Sequence, residues 1–93
     1  MADQRERRTI HFAGHVQGVG FRYTTANIAQ GFDVQGFVQN LPDGRVLLVA
    51  EATKAELERF LTGVRDRLGA HIRQELTDVS AVNGEFTDFR IRH

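Results

Sequence analysis

Residues 8–22, which decide the fold, read RTIHFAGHVQGVGFR. Ile10 and Phe12 alternate with smaller or more polar neighbours, and this alternation predicts a half-buried strand. Three glycines follow within residues 14–20, too many for the interior of a strand or a helix. The segment Arg22–Phe32 then carries its apolar side chains at helical spacing. The stretch therefore predicts a strand, a glycine-rich loop and a helix in direct succession.

The middle of the chain predicts a hairpin and a second helix. Val34–Leu41 and Arg45–Glu51 are rich in β-forming residues and flank a Pro-Asp-Gly turn, which is typical of a hairpin. Thr53 followed by Glu56 has the spacing of a capping box and predicts the start of the second helix. An apolar stripe continues from there and stops before Gly69, where we expect the helix to end.

The order of these elements predicts the fold class. Two further strands are predicted over Arg73–Ser80 and Phe86–Arg92. We expect Gly31 or Asp33 to end the first helix, because both residues tolerate a left-handed backbone. The order is β-α-β-β-α-β, with the fourth strand either single or split or extended around Gly84, and it indicates an α+β fold, a ferredoxin-like sandwich. It has a four- to five-stranded antiparallel sheet with two helices on one face.

The composition fits one small globular domain. The chain has 93 residues, of which 41% are hydrophobic and 26% charged, enough for one core and too few for two. Twelve Lys and Arg balance twelve Asp and Glu, which removes the basic excess typical of nucleic-acid and membrane-surface binders. We expect residues 1–7 to be a disordered polar tail and residues 8–93 to form a single domain.

Further classes of site are excluded by residue type and spacing. Because cysteine is absent, the chain has no disulfide, thiolate zinc site or cysteine nucleophile. His11, His71 and His93 lack the paired spacing of metal ligands, so we expect no metal site. The first residues include Asp3 and Glu6 and no hydrophobic segment, unlike a secretory signal. We expect a cytoplasmic monomer that binds neither nucleic acid nor membrane.

The glycine-rich loop is the candidate site for chemistry. Consecutive backbone N–H groups in a tight loop, followed by the positive end of a helix, favour a tetrahedral anion such as phosphate. Arg22 stands where the loop becomes helix, and its planar guanidinium can bind a phosphoryl group through two hydrogen bonds. The loop is not a Walker motif, and Tyr23 replaces the third glycine of a dinucleotide fingerprint. The alternative is that the glycines merely permit a tight turn.

Two motifs and the chain's last strand resemble the acylphosphatase family. Gly14–Arg22 is similar to the first signature of that family, Gly36–Val46 to its second, and Phe89–Arg92 to its final strand. The resemblance implies a hydrolase that cleaves carboxyl–phosphate anhydrides to carboxylate and inorganic phosphate, without metal or cofactor. It implies small acyl phosphates as substrates and inorganic phosphate as product and competitive inhibitor.

The resemblance also assigns roles to individual residues. Arg22 is expected to bind the phosphate, and Asn40 to position the attacking water. The loop before Arg22 is expected to supply the N–H cradle for the substrate, from His15, Val16, Gln17, Gly18, Val19, Gly20 and Phe21.

Two other functions stay open at this point. The same cradle could belong to a non-catalytic phosphate- or carbamoyl-phosphate-binding module of a larger assembly. A ferredoxin-like RNA-binding module is the third hypothesis, but Val46–Ala50 offers no exposed aromatic platform for bases and the net charge is zero. Hydrolysis of an acyl phosphate in EDTA distinguishes an enzyme from a binding module.

Overall fold

A computed structural model describes residues 4–93 of the chain. All five predicted strands and both predicted helices are present, with a short 3-10 helix added after the second helix. In chain order the elements are β1 (Arg5–Gly14), α1 (Phe21–Ala29), β2 (Gln35–Asn40), β3 (Val46–Thr53), α2 (Lys54–Leu68), the 3-10 helix (Gly69–His71), β4 (Ile72–Ala81) and β5 (Phe89–Arg92). No helix within the described residues is long and apolar enough to cross a membrane.

The five strands form one sheet in the order β4-β1-β3-β2-β5. Strands β1 to β4 pair antiparallel with their neighbours, whereas β5 pairs parallel with β2. The parallel pair arises because residues 82–88 carry the chain from one edge of the sheet to the other and reverse its direction. The ferredoxin-like class is confirmed, with a mixed sheet in place of a wholly antiparallel one.

The first strand begins at Arg5 rather than at Arg8. Its early part lies between β3 and β4, and Arg7 is in register with Glu51 of β3. Arg7 also forms an ion pair with this buried Glu51, which accommodates a charged residue in the sheet. The expected disordered tail is therefore wrong for this part of the chain, and residues 1–3 lie outside the described residues.

The core lies on one face of the sheet, beneath both helices. Ile10, Phe12 and Val38 are completely buried and belong to the same apolar cluster as residues of α1 and α2. The apolar stripe predicted for the second helix is buried along its whole length: Leu57, Phe60, Leu61, Val64 and Leu68. Alternation along the strands thus places one face of the sheet under the helices, as the sequence predicts.

The first helix is shorter than predicted. It ends at Ala29, and residues 30–32 continue with N–H groups that donate to carbonyls three residues earlier. Gly31 and Asp33 both lack a positive φ, so the expected left-handed ending is wrong. The 3-10-type hydrogen bonds satisfy the last carbonyl groups of the helix, so no left-handed residue is needed there.

The second helix has the predicted cap. The Oγ1 of Thr53 accepts a hydrogen bond from the backbone N–H of Glu56 at 3.2 Å. The Glu56 carboxylate accepts in turn from the N–H of Asp33 at 2.8 Å, so it joins the start of α2 to the end of the first helical segment. Gly69 follows the last helical residue, as predicted.

The sheet has an open face, which lies opposite the helices. Residues 82–88 cover part of it. Phe86 packs edge-to-face on Phe37, with 5.8 Å between the ring centroids. The guanidinium of Arg7 lies 5.1 Å from the centroid of the Phe86 ring. Because Phe86 packs on the sheet instead of extending it, β5 begins at Phe89 and not at the predicted Phe86.

Candidate active site

The glycine-rich loop connects β1 to α1 across residues 15–20. Gly18 and Gly20 have φ angles of +78° and +77°, in the left-handed region that side chains with a Cβ rarely adopt. Gly20 is also the residue that precedes the first helical residue, Phe21, and Thr24 donates its backbone N–H to the Gly20 carbonyl. The loop path therefore depends on glycine at these two positions.

The N–H groups of this segment are available to a ligand. Among the hydrogen bonds of residues 4–93, none uses the backbone N–H groups of residues 16–21. The first turn of α1 contains no acidic side chain and has no side-chain cap. Free N–H groups and the uncompensated positive end of the helix attract an anion to this point.

A cavity of about 150 Å³ opens beside the loop. Its walls come from the loop, the start of α1 and the end of β2, namely Val16, Gly18, Gly20, Phe21, Arg22, Tyr23 and Asn40. A volume of that size equals roughly five water molecules at liquid density. The cavity therefore suits a small polar group and brings both predicted catalytic residues together.

Arg22 carries a positive charge without a carboxylate partner among residues 4–93. Its Nη1 donates to the carbonyl oxygen of Arg92 at 3.3 Å and lies 3.3 Å from the Nδ1 of His93. These contacts hold the guanidinium at the end of β5, beside the cavity. Its charge remains free to bind an anion.

Asn40 is the last residue of β2 and is paired with Val46 of β3. Its Oδ1 is buried and has no hydrogen-bond partner within the described part of the chain. An amide oxygen without a protein partner in a cavity wall can accept a hydrogen bond from a water or another small molecule that enters the cavity.

Gln17 fixes the loop through its side chain. The Nε2 of Gln17 donates to the carbonyl oxygens of Leu41 at 2.8 Å and of Arg45 at 2.9 Å. These two residues flank the hairpin turn between β2 and β3, next to Asn40. The amide therefore joins the glycine-rich loop to the strand end that carries Asn40. Sequence reasoning included Gln17 only for its backbone, because its partners are distant in the chain.

The predicted cradle residues do not all line the cavity. His15 is exposed, and its backbone N–H already donates to the carbonyl of His71 at 2.9 Å. Val19 packs against the hydrophobic core. Tyr23 lines the cavity although it was not among the predicted site residues, and its side chain is 63% exposed at the rim. The sequence leaves Tyr23 as either a rim residue or a core residue, and its exposure places it at the rim.

The described residues contain no group of three or more His, Cys, Asp or Glu side chains arranged to hold a metal ion.

Comparison with known proteins identifies the family. The family model described as Acylphosphatase matches residues 8–91. An acylphosphatase of Paenarthrobacter aurescens (strain TC1) is 40% identical over 92 residues, which cover 98% of this chain and 98% of that protein.

Solved structures give the same result. The crystal structure of acylphosphatase from Bacillus subtilis is similar with a TM-score of 0.84 and 28% identity, over 95% of this chain and 99% of that chain. Full-length HypF in its phosphate- and nucleotide-bound form is also similar, with a TM-score of 0.84 and 29% identity. That match covers 100% of this chain and 12% of HypF. Family model, near-complete relative and structural similarity agree, and the chain belongs to the acylphosphatase family and is an acyl-phosphate hydrolase.

Proposed function

We propose that the cavity beside the glycine-rich loop hydrolyses small acyl phosphates without a metal ion. The observation that carries this proposal is that one cavity joins Gly18 and Gly20, the unpaired guanidinium of Arg22 and the unpartnered amide of Asn40. All of these residues come from a single chain, so we also propose that the monomer is the active unit.

The loop and Arg22 bind the phosphoryl group. Free backbone N–H groups donate to its oxygens, and the guanidinium adds charge-assisted hydrogen bonds. The seven lining residues carry the positive charge of Arg22 and no carboxylate. Such a donor set favours the phosphate anion over a hard cation, which requires carboxylate or carbonyl oxygens.

Asn40 positions the attacking water. Its amide is neutral and cannot act as a general base, so it directs water only by hydrogen bonding. The buried Oδ1 accepts a hydrogen bond from the water, and the water oxygen then faces the phosphorus opposite the leaving oxygen. Positioning of this kind accounts for catalysis without a nucleophilic side chain.

The substrate supplies the rest of the chemistry. Water attacks phosphorus, the phosphorus–oxygen bond to the acyl group breaks, and the carboxylate leaves with the bonding electrons. Because a carboxylic acid has a pKa of roughly 4, this leaving group needs no protonation. The proton of the attacking water passes to a phosphoryl oxygen.

The test is the hydrolysis of benzoyl phosphate in the presence of EDTA. Asn40→Ala should lower kcat about 10²–10³-fold and leave competitive inhibition by phosphate nearly unchanged. Arg22→Ala should weaken both turnover and phosphate inhibition. Gln39→Ala is the matched control, since this amide precedes Asn40 but does not line the cavity. Full activity of Asn40→Ala, or loss of wild-type activity in EDTA, would contradict the proposal.

The alternative of a non-catalytic phosphate- or carbamoyl-phosphate-binding module has support from the similarity to a small part of HypF. The same assay distinguishes it from an enzyme. A binding module would bind phosphate with dependence on Arg22 and would leave benzoyl phosphate intact.

A further inference from the structure

A second, larger cavity of about 470 Å³ lies on the open face, between β2, β5 and the residues that precede β5. Its lining includes Phe37 of β2, Arg90 and Arg92 of β5, and Glu85, Phe86 and Asp88 before β5. None of these residues lines the cavity beside the glycine-rich loop. The volume falls within the range of small-molecule sites, and the proposed hydrolysis makes no use of it.

Specific contacts hold the wall of this cavity in place. The Nη2 of Arg7 donates to Glu85 at 2.5 Å and to the Oδ1 of Asn83 at 2.8 Å. Phe86 packs on Phe37 of β2 and lies against the guanidinium of Arg7 of β1. Both polar and apolar contacts therefore attach the wall to the sheet.

The charges lining the cavity leave one cation unpaired. The hydrogen bond from Arg7 holds the pKa of Glu85 below its ordinary value, so this carboxylate is charged and already paired. Asp88 is paired with Arg90 at 2.9 Å. Arg92 has no carboxylate partner among residues 4–93, and its guanidinium lies 3.7 Å from the centroid of the Phe37 ring.

We propose that this cavity binds a small organic carboxylate with a flat apolar body. The carboxylate accepts two parallel hydrogen bonds from the planar fork of Arg92, and the apolar body packs against the partly exposed ring of Phe86. Stacking on Phe37 fixes the plane of the guanidinium before the ligand arrives. Because Glu85 and Asp88 are paired, Arg92 supplies one positive charge to a ligand, and the site matches a singly charged anion rather than a dianion.

The site lies next to the proposed catalytic centre without overlapping it. The carbonyl oxygen of Arg92 and the Nδ1 of His93 are both 3.3 Å from the Nη1 of Arg22. The end of β5 therefore separates a carboxylate-binding cavity from a phosphate-binding one. A carboxylate and inorganic phosphate should bind to the protein at the same time.

The test uses benzoate as the probe and does not depend on turnover. Benzoate is titrated into the isotopically labelled protein with and without saturating inorganic phosphate, and NMR shifts of Phe37, Phe86 and Arg92 are followed. We expect binding in both conditions. Arg92→Gln should weaken it about tenfold or more, because a charged hydrogen-bond partner is lost. Arg67→Gln, which removes an exposed arginine of α2 outside the cavity, should keep the wild-type affinity.

Three results would overturn the proposal: no shift at these residues, equal affinity in Arg92→Gln, or loss of binding when phosphate is saturating. The last result would place benzoate in the phosphate cavity. Thermal unfolding of each variant establishes that it is folded. If Arg92→Gln does not fold, Arg92→Lys takes its place, and its single ammonium should bind benzoate several-fold more weakly than the arginine fork.

Discussion

The Nε of Arg7 donates to the Oε2 of Glu51 at 2.7 Å, and the Glu51 side chain is only 3% exposed. The backbone N–H of Asn83 also approaches the same Oε2, at 3.5 Å. One buried carboxylate thus joins the first strand, the third strand and the connection that leads to β5. Arg7 supplies the positive charge that compensates the carboxylate of Glu51.

Arg7→Ala should destabilise the protein by about 3–5 kcal/mol, because it leaves the carboxylate of Glu51 buried without a counter-charge. Urea unfolding at neutral pH measures the change. The double variant Arg7→Met, Glu51→Leu should recover most of the lost stability, since the unpaired charge is then absent. An Arg7→Ala variant as stable as the wild type would show that Glu51 does not need its partner.

Removal of the Gln17 amide should affect activity more than stability. Gln17→Ala loses two hydrogen bonds to the hairpin and should lower kcat/KM for benzoyl phosphate by about 10–100-fold, as the loop shifts relative to Asn40. Inhibition by phosphate should weaken as well. Gln74→Ala, at an exposed position of β4, is the control. Wild-type kinetics in Gln17→Ala would refute the positioning role.

Alanine substitutions at two glycines should change the stability of the protein in opposite directions. At Gly36 a Cβ would lie 1.9 Å from the carbonyl oxygen of Val49, and φ is +147°. Gly36→Ala should therefore destabilise the protein by about 3–5 kcal/mol, through strain and overpacking. Gly69 has φ −58° and open space around the Cβ position, so Gly69→Ala should stabilise by about 0.5–1 kcal/mol. Chemical denaturation of both variants measures the changes in the free energy of unfolding. A Gly36→Ala variant as stable as the wild type would contradict the close contact.

Glu56 should make stability depend on acid pH. Hydrogen bonds from the N–H of Asp33 and then from Arg59 hold the pKa of Glu56 below its ordinary value of 4.5. A carboxyl with a lowered pKa in the folded state stabilises the protein above the unfolded value, and this contribution disappears as the pH falls through the folded pKa. Glu56→Gln should be less stable than the wild type at neutral pH.

The difference between the two proteins should disappear as the pH falls through the lowered pKa of Glu56 in the folded state, because the carboxyl is then protonated in both states. Urea unfolding as a function of pH measures this convergence. A constant difference between wild type and Glu56→Gln across the whole range would contradict the assigned hydrogen bonds.

Local patterns predicted most of the fold. Alternation, the Pro-Asp-Gly turn and the Thr53 cap each depend on a few neighbouring residues, and each is confirmed. Apart from the end of α1, where local 3-10 hydrogen bonds replace the expected left-handed residue, the errors occurred where distant residues decide the conformation. Arg7 belongs to a strand because Glu51 and the residues near Asn83 compensate its charge, and no local pattern indicates that pairing.

The candidate site was predictable to a similar extent. The loop glycines, Arg22 and Asn40 were identified by motif, and the fold brings them to one cavity. The tertiary contact of Gln17 could not be predicted, because it depends on how the loop meets the hairpin, and the sequence left Tyr23 open between a rim and a core position. Motifs predicted which residues lie at the candidate site, whereas the packing determines which of them line the cavity.

The arrangement of the sheet has a consequence for folding kinetics. Residue 6 pairs with residue 81 and residue 36 with residue 89, so both edges of the sheet close only when remote segments meet. Chains dominated by such non-local pairings refold in milliseconds to seconds rather than microseconds. Since Arg22 contacts the end of β5, catalytic competence should return after denaturant dilution no faster than this last strand docks.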